Sequence, residues 1–308
     1  MKSVGITFLL LSAVAVAVAS STTAKLFIVN ALACLGEYSL HANIAYGSLP
    51  RQNLDLYVPH HRQGNRPTLI FIPGGCWGAC ETLPKHDYRF VADSFASRGY
   101  GVVVVNYRLF PEVQFPAIIG DVRSALIWVA RYGRDYGISS NRLVLMGHSA
   151  GAHMATLLDL DPRYLDDGLR RRIMAVVAMA GPYDFLPFTE SYEPVLFGPP
   201  ERFADSQPVS FVKGTEAPML LLYGEADTRI KPRNILSLSE KVRQRGGRVQ
   251  TRCYPGIDHS GILAALSRPL RSTEPVYADI LHFLDQVGEG GAVNTGSNGS
   301  CNKLARAA

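Results

Sequence analysis

The chain has 308 residues, of which 47% are hydrophobic and 19% are charged, with 28 glycines, 19 prolines and five cysteines. This length allows one large domain or two small ones, and the apolar content and sparse cysteines exclude a disordered chain, a collagen and a disulfide-stapled mini-protein. The net charge of +5 is too small to indicate a nucleic-acid-binding protein.

The N-terminus has the pattern of an export signal. A short basic start, Met1-Lys2-Ser3, precedes sixteen residues without a charge (4–19), and Ala17-Val18-Ala19 supplies the small side chains that signal peptidase accepts. These features predict a signal peptide over residues 1–19 and an exported protein, periplasmic or secreted. An uncleaved anchor is the alternative, although sixteen apolar residues are few for a hydrocarbon core about 30 Å thick.

A second apolar stretch, residues 25–34, lies in the lead-in that spans residues 20–41. It predicts a short amphipathic helix that either packs on the domain or rests on a membrane surface, so peripheral membrane contact through residues 25–35 stays open. A lipid-attachment signal ending at Cys34 is disfavoured, because Ala31 stands where such signals prefer Leu and Asn30 interrupts the run.

Residues 42–287 alternate short β-branched runs with longer helical patterns. Most runs are nearly continuous Val, Ile, Leu and Met, as in strands covered on both faces. The alternation predicts one domain with an open, mostly parallel sheet and helices on both sides. The predicted strands are Leu54–Val58, Thr68–Ile72, Gly101–Asn106, Leu143–Met146, Met174–Met179, Met219–Tyr223 and Val249–Tyr254. The predicted helices are Asp87–Ser97, Ile118–Tyr132, Ala150–Leu158, Arg233–Arg243 and Pro275–Gln286.

One segment of this domain, residues 184–218, breaks the alternation. It mixes five prolines with five aromatic residues and has little regular pattern. A segment of this length is unusual as a simple connection inside a compact domain, and long loops of this kind are often functional lids. We therefore expect this segment to form a small cap over a functional site at the edge of the sheet.

A candidate nucleophile follows the predicted strand Leu143–Met146. Residues 147–151 read G-x-S-x-G and lead into a helical pattern, which is the strand–turn–helix setting that gives this motif its meaning. Ser149 would then stand at the carboxyl end of the sheet, beside a helix N-terminus. His148 is interpreted as filling the variable position of the motif without a chemical role, and His153 as a helix-packing residue.

A serine nucleophile needs a base, and the base needs an acid that orients it. Asp227 and His259 each follow a later predicted strand, so both are expected near Ser149 at the carboxyl edge of the sheet. The chain order Ser, Asp, His is the order found in proteins that carry a serine nucleophile on this strand–turn–helix motif. Glu225 is a rival candidate for the acid. Asp258 is a weaker candidate, because it is next to His259 in the sequence and its side chain would usually point away from the imidazole.

A glycine-rich turn, Pro73-Gly74-Gly75-Cys76-Trp77-Gly78, follows the predicted strand Thr68–Ile72. Backbone N–H groups of such a turn can point at a developing oxyanion, together with the amide of Ala150 beside the nucleophile. The sequence therefore predicts an oxyanion hole at this turn.

Together these segments resemble the α/β-hydrolase fold serine carboxylesterases, in the branch that contains hormone-sensitive-lipase-like and arylformamidase-like enzymes. The resemblance covers about residues 44–285 and includes "FIPGGCWGAC", "VVVVNYRLFPE", "GHSAG", "LLLYGEAD" and "GIDHSG". It implies an α/β-hydrolase fold with Ser149 as the nucleophile, Asp227 as the acid and His259 as the base. The backbone amides of Gly75, Cys76 and Ala150 would form the oxyanion hole.

The chain departs from this family pattern at two positions. Relatives usually carry His where Pro73 stands, and that His supports the oxyanion loop by hydrogen bonds; proline lacks a donor, although its fixed φ stiffens a turn. Relatives also usually carry Asp where Asn106 stands, a difference we expect to leave the chemistry intact.

The expected activity is hydrolysis of small-molecule carboxylic esters with short to medium acyl or aryl groups, through an acyl-enzyme and without a metal or organic cofactor. Trp77, Tyr183 and Phe185 are candidates for the substrate pocket. Hydrolysis of aryl-formamide bonds is the alternative activity, since the same triad serves both bonds. A non-catalytic binding module is a third interpretation, although such proteins typically lose the Ser or the His.

The five cysteines make no metal-binding pattern. Cys76 and Cys80 lie four residues apart in the glycine-rich loop, and we interpret them as two small packed residues; a strained local disulfide in an oxidising compartment is the alternative. The tail, residues 288–308, is rich in Gly, Asn and Ser and is predicted to be disordered.

Overall fold

The computed structural model describes residues 22–62, 65–288, 296–297 and 301–304. The predicted signal peptide, residues 1–19, lies outside the described residues. The strands are β1 (Tyr38–Ala45), β2 (Asn53–Pro59), β3 (Thr68–Ile72), β4 (Gly101–Val105), β5 (Leu143–His148), β6 (Ile173–Met179), β7 (Met219–Gly224) and β8 (Val249–Tyr254). The helices are α1 (Thr22–Ala33), α2 (Arg89–Ala96), α3 (Phe115–Tyr132), α4 (Ala150–Leu160), α5 (Asp167–Arg170), α6 (Glu193–Phe197), α7 (Arg233–Gln244), α8 (Gly261–Ala264) and α9 (Val276–Gly288).

The described strands form one eight-stranded sheet in the order β1-β2-β4-β3-β5-β6-β7-β8. Strand β2 pairs antiparallel with β1 and β4, and the other neighbouring strands pair in parallel. The predicted architecture, a mostly parallel sheet with helices on both faces, is confirmed. Because parallel strands end at the same edge, the loops after β3, β5, β7 and β8 gather on one side of the sheet.

The strands are held by two apolar cores, one on each face of the sheet. Strand β4 reads Gly-Val-Val-Val-Val, and all five residues are buried. Side chains alternate between the faces, so Ile70 packs in one core with α3 and α7, whereas Phe71 packs in the other with α2 and α9. This covering on both faces explains the continuous apolar runs in the sequence.

Strand β1 is an element that the sequence patterns did not predict. It is a partly exposed edge strand whose pairing with β2 shifts between His41 and Ile44. Asn43 at the shift has a positive φ of 57°, and its backbone N–H donates to the Asp55 carboxylate at 2.8 Å. This bulge interrupts the alternation that would otherwise have marked a strand.

The lead-in forms helix α1, which is fastened to the domain by Asn30. The Asn30 side-chain amide donates to the backbone oxygen of Asp87 at 2.8 Å, and its Oδ1 accepts the N–H of Phe90 at 3.0 Å. The outer face of the segment leaves Phe27 and Leu35 exposed, at 75% and 71%. Of the helices in the described ranges, none combines the length and apolar character needed to cross a bilayer.

The predicted cap over residues 184–218 lies between β6 and β7. It contains α6 and two 3-10 turns, Pro200–Ser206 and Pro208–Phe211. The cap is joined to helix α4 by His153, whose Nε2 donates to the backbone oxygen of Ser206 at 2.6 Å. Aromatic rings of the cap pack against one another, with Phe188 edge-on to Phe203 at 4.6 Å between centroids.

The C-terminal segment corrects the expectation of a disordered tail for the residues that are described there. Cys301 forms a disulfide with Cys253 of β8, 48 residues away. Ser297 forms a parallel bridge with Thr251 of the same strand, and the Thr251 N–H donates to the Gly296 oxygen at 3.2 Å. Residues 296–297 and 301–304 are therefore attached to the domain, and for them the prediction was wrong.

Candidate active site

Ser149 lies on the sharp turn between β5 and α4, with φ of 55° and ψ of −122°. The two flanking glycines are required by space. A Cβ on Gly147 would approach the Gly151 carbonyl carbon to 2.3 Å, and one on Gly151 would approach the Ile72 oxygen to 1.9 Å. The turn thus presents the Ser149 side chain at the carboxyl edge of the sheet, as the strand–turn–helix motif predicts.

His259 and Asp227 are hydrogen-bonded to each other at this edge. His259 Nδ1 lies 2.8 Å from Asp227 Oδ2, and the two residues are 8% and 7% exposed. An ionised carboxylate can only accept, so Nδ1 carries the proton and donates it, which leaves Nε2 as the basic nitrogen. Ser149 and His259 line the same cavity. The structure therefore brings all three predicted residues together.

The carboxylate of Asp227 is kept ionised by its surroundings. Burial alone would raise its pKa, but the hydrogen bond from His259 and those from two backbone amides outweigh burial and hold the pKa below its usual value. The amides belong to Arg229 and Ile230, which donate to Oδ1 at 2.8 and 2.9 Å. A fixed negative charge at this position suits a group that stabilises a protonated imidazole.

The two rival acids have other surroundings. Asp258 Oδ1 accepts the backbone N–H of Gly261 at 2.6 Å, at the start of α8. One carboxylate oxygen of Glu225 is buried and has no hydrogen-bond partner among the described residues. Asp227 is thus the carboxylate that the structure pairs with His259.

The glycine-rich turn after β3 curls beside Ser149. Four consecutive residues, 75–78, have positive φ values, including 49° at Cys76 and 55° at Trp77. Cys76 and Ala150 line the cavity with Ser149, as expected for oxyanion donors, whereas Gly75 is not among the lining residues and lies against Thr82.

Cys76 and Cys80 are joined by a disulfide, with their Cα atoms 5.2 Å apart. The interpretation of these cysteines as two unpaired packed residues was therefore wrong. The curled turn over residues 76–78 folds the chain back on itself and brings the two sulfurs together, an effect that spacing alone did not reveal. Tyr107 supports the start of the turn, since its hydroxyl donates to the Pro73 oxygen at 2.7 Å.

The cavity at the site has a volume of about 570 Å³. Trp77 and Phe185 line it, with their rings stacked at 6.1 Å between centroids and 24° between planes. Its mouth carries the cations Arg229 and Lys231. Among the described residues, no group of three or more His, Cys, Asp or Glu side chains gathers as metal ligands.

Tyr183 does not line this cavity, so the expectation that it contributes to the pocket was wrong. It is 1% exposed, and its ring lies over Gly181, where a Cβ would come within 2.6 Å of it. The backbone N–H groups of Tyr183 and Asp184 donate to Asn234 Oδ1 at 2.6 and 2.9 Å. Asn234, which was not predicted from the sequence, thus fixes the backbone where the cap segment begins.

His148 is the second residue whose place was missed. Its Nε2 lies 2.8 Å from the backbone oxygen of His259, and the two rings are 4.7 Å apart at their centroids. Burial, and then the nearby His259, lower the pKa of His148 to about 3. A signal for this contact was its position directly before Ser149, which puts its side chain at the same sheet edge.

Comparison with known proteins gives the chain its family. The BD-FAE family model matches residues 54–242. Esterase LipQ of Mycobacterium tuberculosis is 31% identical over 257 residues, which cover 76% of this chain and 60% of LipQ. Kynurenine formamidase of Salmo salar is 31% identical over 150 residues, 49% of this chain and 48% of that enzyme.

Among solved structures, inhibited esterase B from Lactobacillus rhamnosis superposes with a TM-score of 0.71 at 21% identity, covering 90% of this chain and 97% of that one. This likeness shows the fold. The chain spans about half to two thirds of the length of the first curated relatives that it matches. The match over residues 54–242, together with the sheet order and the strand–turn–helix geometry at Ser149, shows that the chain belongs to the BD-FAE family and has the α/β-hydrolase fold.

Proposed function

We propose that this protein is a serine hydrolase that cleaves carboxylic esters with short to medium acyl or aryl groups. The observation that carries the proposal is the hydrogen bond between Asp227 and His259, where His259 and Ser149 line one cavity. Relatives named as esterases support the reaction class. The aromatic wall of Trp77 and Phe185 supports an apolar acyl or aryl group in the substrate.

The reaction proceeds in two halves. His259 Nε2 takes the proton of the Ser149 hydroxyl as its oxygen attacks the acyl carbon, and the negative oxygen accepts hydrogen bonds from the amides of Cys76 and Ala150. The carbon–oxygen bond to the alcohol then breaks, and His259 gives the alcohol its proton. Water then loses a proton to His259 and attacks the acyl carbon. The bond from that carbon to the Ser149 oxygen breaks, His259 returns its proton to that oxygen, and the acid leaves.

The test is ester hydrolysis by a nucleophile variant. Ser149→Ala should lose p-nitrophenyl acetate hydrolysis and labelling by a fluorophosphonate probe. Ser272→Ala, which changes an exposed serine away from the cavity, is the matched control and should keep both. Full activity in Ser149→Ala would overturn the assignment, and a wild-type protein that the probe does not label would favour a non-catalytic binding module.

Formamide hydrolysis is the second candidate, favoured by the similarity to kynurenine formamidase. The same nucleophile and base can cleave both bonds, so the pocket decides between them. An acyl-chain series of p-nitrophenyl esters run beside N-formylaniline separates the two. We expect higher kcat/KM on the esters; a formamide rate that exceeds all of them would reverse the assignment.

We also propose that the protein is exported, with residues 1–19 removed. Two disulfides, Cys76–Cys80 and Cys253–Cys301, support an oxidising compartment. The expected mature protein begins at Ser20 and lies in an extracytoplasmic fraction. Met1 retained on cytosolic protein would contradict this.

Peripheral membrane contact through residues 25–35 is proposed as well, supported by the exposed side chains of Phe27 and Leu35. Mature protein should sediment with phosphatidylcholine vesicles. A Phe27→Asp/Leu35→Asp variant should bind less than the wild type, and equal sedimentation of the two would exclude this face.

A further inference from the structure

The turn that carries the proposed oxyanion donor is held in an unusual backbone conformation. Cys76 and Trp77 both have φ near 50°, in the left-handed region that side chains other than glycine adopt at a cost. Such residues persist where the surrounding contacts fix them. Because an oxyanion donor acts only if it points at the developing charge, the contacts that fix Cys76 bear directly on the reaction.

Backbone hydrogen bonds hold the turn both inside it, where the Ala79 N–H donates to the Cys76 oxygen at 3.0 Å, and at its two ends. Tyr107 holds the Pro73 oxygen at 2.7 Å at the start, and the Phe110 N–H donates to the Trp77 oxygen at 2.9 Å near the end. Pro73 itself has no N–H and no polar side chain. Between these ends, the side chain of Cys76 is tethered by its bond to Cys80.

We propose that the Cys76–Cys80 disulfide is a positioning element that holds the Cys76 amide toward the oxyanion, so that opening it slows acylation of Ser149. The inference rests on the proposed esterase function. Cys76 and Cys80 both line the cavity with Ser149 and are only half-buried, so a small thiol can reach the bond.

The second disulfide of the chain provides an internal control. Cys253 and Cys301 are 1% and 3% exposed and do not line the cavity that holds Ser149. Their bond spans 48 residues, whereas Cys76–Cys80 spans four. Loop-closure entropy grows with the length of the closed loop, so the long disulfide should contribute more to global stability than the short one.

The two disulfides should therefore separate function from stability. Removing the short one should lower kcat with little change in Tm, because the effect is on one amide. Removing the long one should lower Tm with little change in kcat, because it lies away from the site. A purely structural role for both bonds predicts instead that activity falls only together with Tm.

The experiment compares Cys76→Ser/Cys80→Ser with Cys253→Ser/Cys301→Ser in the full mature protein. Readouts are kcat and KM on p-nitrophenyl acetate, the rate of fluorophosphonate labelling, and Tm. We expect the short-disulfide variant to lose at least tenfold in kcat and in labelling rate, with KM within about threefold, as for a weakened oxyanion donor. The long-disulfide variant should keep kcat within about twofold and show the larger fall in Tm.

Chemical reduction tests the same bond without substitution. Dithiothreitol transfers two electrons and two protons to the disulfide, which yields two thiols and cyclic oxidised dithiothreitol. Activity should fall in step with alkylatable thiol at Cys76 and Cys80, as read by peptide mass, while Cys253 stays protected. Reoxidation should restore the rate. This arm decides the matter if the short-disulfide variant fails to fold.

The outcomes that overturn the inference are specific. If the short-disulfide variant, or wild type reduced at Cys76 and Cys80, keeps kcat within twofold, the bond does not position the donor. If kcat falls only in proportion to unfolded protein, the role is structural. An oxidised wild type that hydrolyses no ester of the acyl-chain series overturns the proposed function and this inference with it, whereas an active but reduction-insensitive enzyme overturns only the inference.

Discussion

His148 Nε2 donates a hydrogen bond to the backbone oxygen of His259, 2.8 Å away. A carbonyl oxygen can only accept, so the tautomer of His148 is fixed with its proton on Nε2. His148 directly precedes Ser149 in the chain, and one hydrogen bond thus joins the nucleophile turn to the loop of the base. With its pKa lowered to about 3, chiefly by burial, His148 stays neutral and places no charge beside His259.

Loss of this hydrogen bond should slow the reaction. His148→Leu leaves the His259 carbonyl without its donor, and an unsatisfied buried carbonyl costs about 1–3 kcal/mol. We expect kcat to fall about tenfold or more, with a smaller change in KM. His148→Gln, whose amide can place a donor near the same point, should recover most of the rate. If Leu and Gln variants have equal kcat, the contact does not position the base.

The acid can be assigned by a pair of substitutions. Asp227→Asn removes the charge that accepts from His259 Nδ1, and in triads of this type the change lowers kcat by about 10⁴. Glu225→Gln is the matched control because it lies two residues away and should leave kcat almost unchanged. Steady-state kinetics on p-nitrophenyl acetate check both. A large loss in Glu225→Gln with little loss in Asp227→Asn would reverse the assignment.

Stability at acid pH should depend on His153. Burial lowers its pKa to about 4, only partly offset by the hydrogen bond to Ser206, and the surrounding rings, such as Trp77 and Phe115, carry no charge. The unfolded chain takes up this proton near pH 6.5, so stability is present above that pH and is lost as pH falls toward 4.

A variant without a titratable group at position 153 isolates that effect. Between pH 7 and pH 4.5 the Tm of His153→Leu should fall less than the Tm of the wild type, by several degrees in scanning calorimetry. The measured quantity is the fall in Tm of each protein relative to its own value at pH 7, so a lower Tm of the variant at pH 7 does not affect the comparison. Parallel Tm curves for the two proteins would assign the acid sensitivity to other groups.

The width of the acyl pocket should be set by Phe185. Phe185→Ala removes a ring that stacks on Trp77 and lines the cavity, so longer acyl chains should gain room. We expect kcat/KM to shift toward longer p-nitrophenyl esters, with a higher KM for the acetate. Tyr183→Phe changes a neighbour buried outside the cavity and should keep the wild-type preference. An unchanged chain-length profile in Phe185→Ala would place the acyl group elsewhere.

Helix α1 should be loosened by Asn30→Ala. The substitution removes the side chain that bonds to Asp87 and Phe90, and each lost hydrogen bond costs about 1 kcal/mol. Amide exchange over residues 22–33 should become faster, while kcat on p-nitrophenyl acetate stays the same. Lys25→Ala, on the exposed side of the helix, is the control for helix propensity. Equal exchange in the two variants would show that Asn30 does not fasten the helix.

The nucleophile turn could be predicted because its requirements are local. Gly147 and Gly151 are demanded by contacts at the turn itself, and the flanking strand and helix have strong apolar patterns. Asp227 and His259 could be placed because they follow such strands. Strand β1 could not, since the bulge at Asn43 and its exposure at the sheet edge remove the alternation.

Long-range cysteine pairing and the direction in which a side chain points are harder to predict from the sequence. Cys253 pairs across 48 residues with a cysteine in a segment that lacks any apolar period, so composition alone suggests disorder there. Tyr183 follows a strand end, as pocket residues do, but Ala180 has a φ of 49° and Gly181 leaves space for the ring. The chain therefore turns the ring inward, a result that depends on tertiary packing.

The C-terminal attachment also affects how the molecule meets its own copies. Strand β8 is an outer strand of the sheet, and an outer strand with free backbone groups can recruit a strand from another chain. Here the bridge between Thr251 and Ser297 occupies part of that hydrogen-bonding row, and the disulfide to Cys301 keeps the covering segment from leaving. At the opposite edge of the sheet, the bulge in β1 interrupts the regular row of backbone hydrogen-bonding groups. Both edges of the sheet are thus less able to pair with a strand of another copy, which disfavours edge-to-edge aggregation.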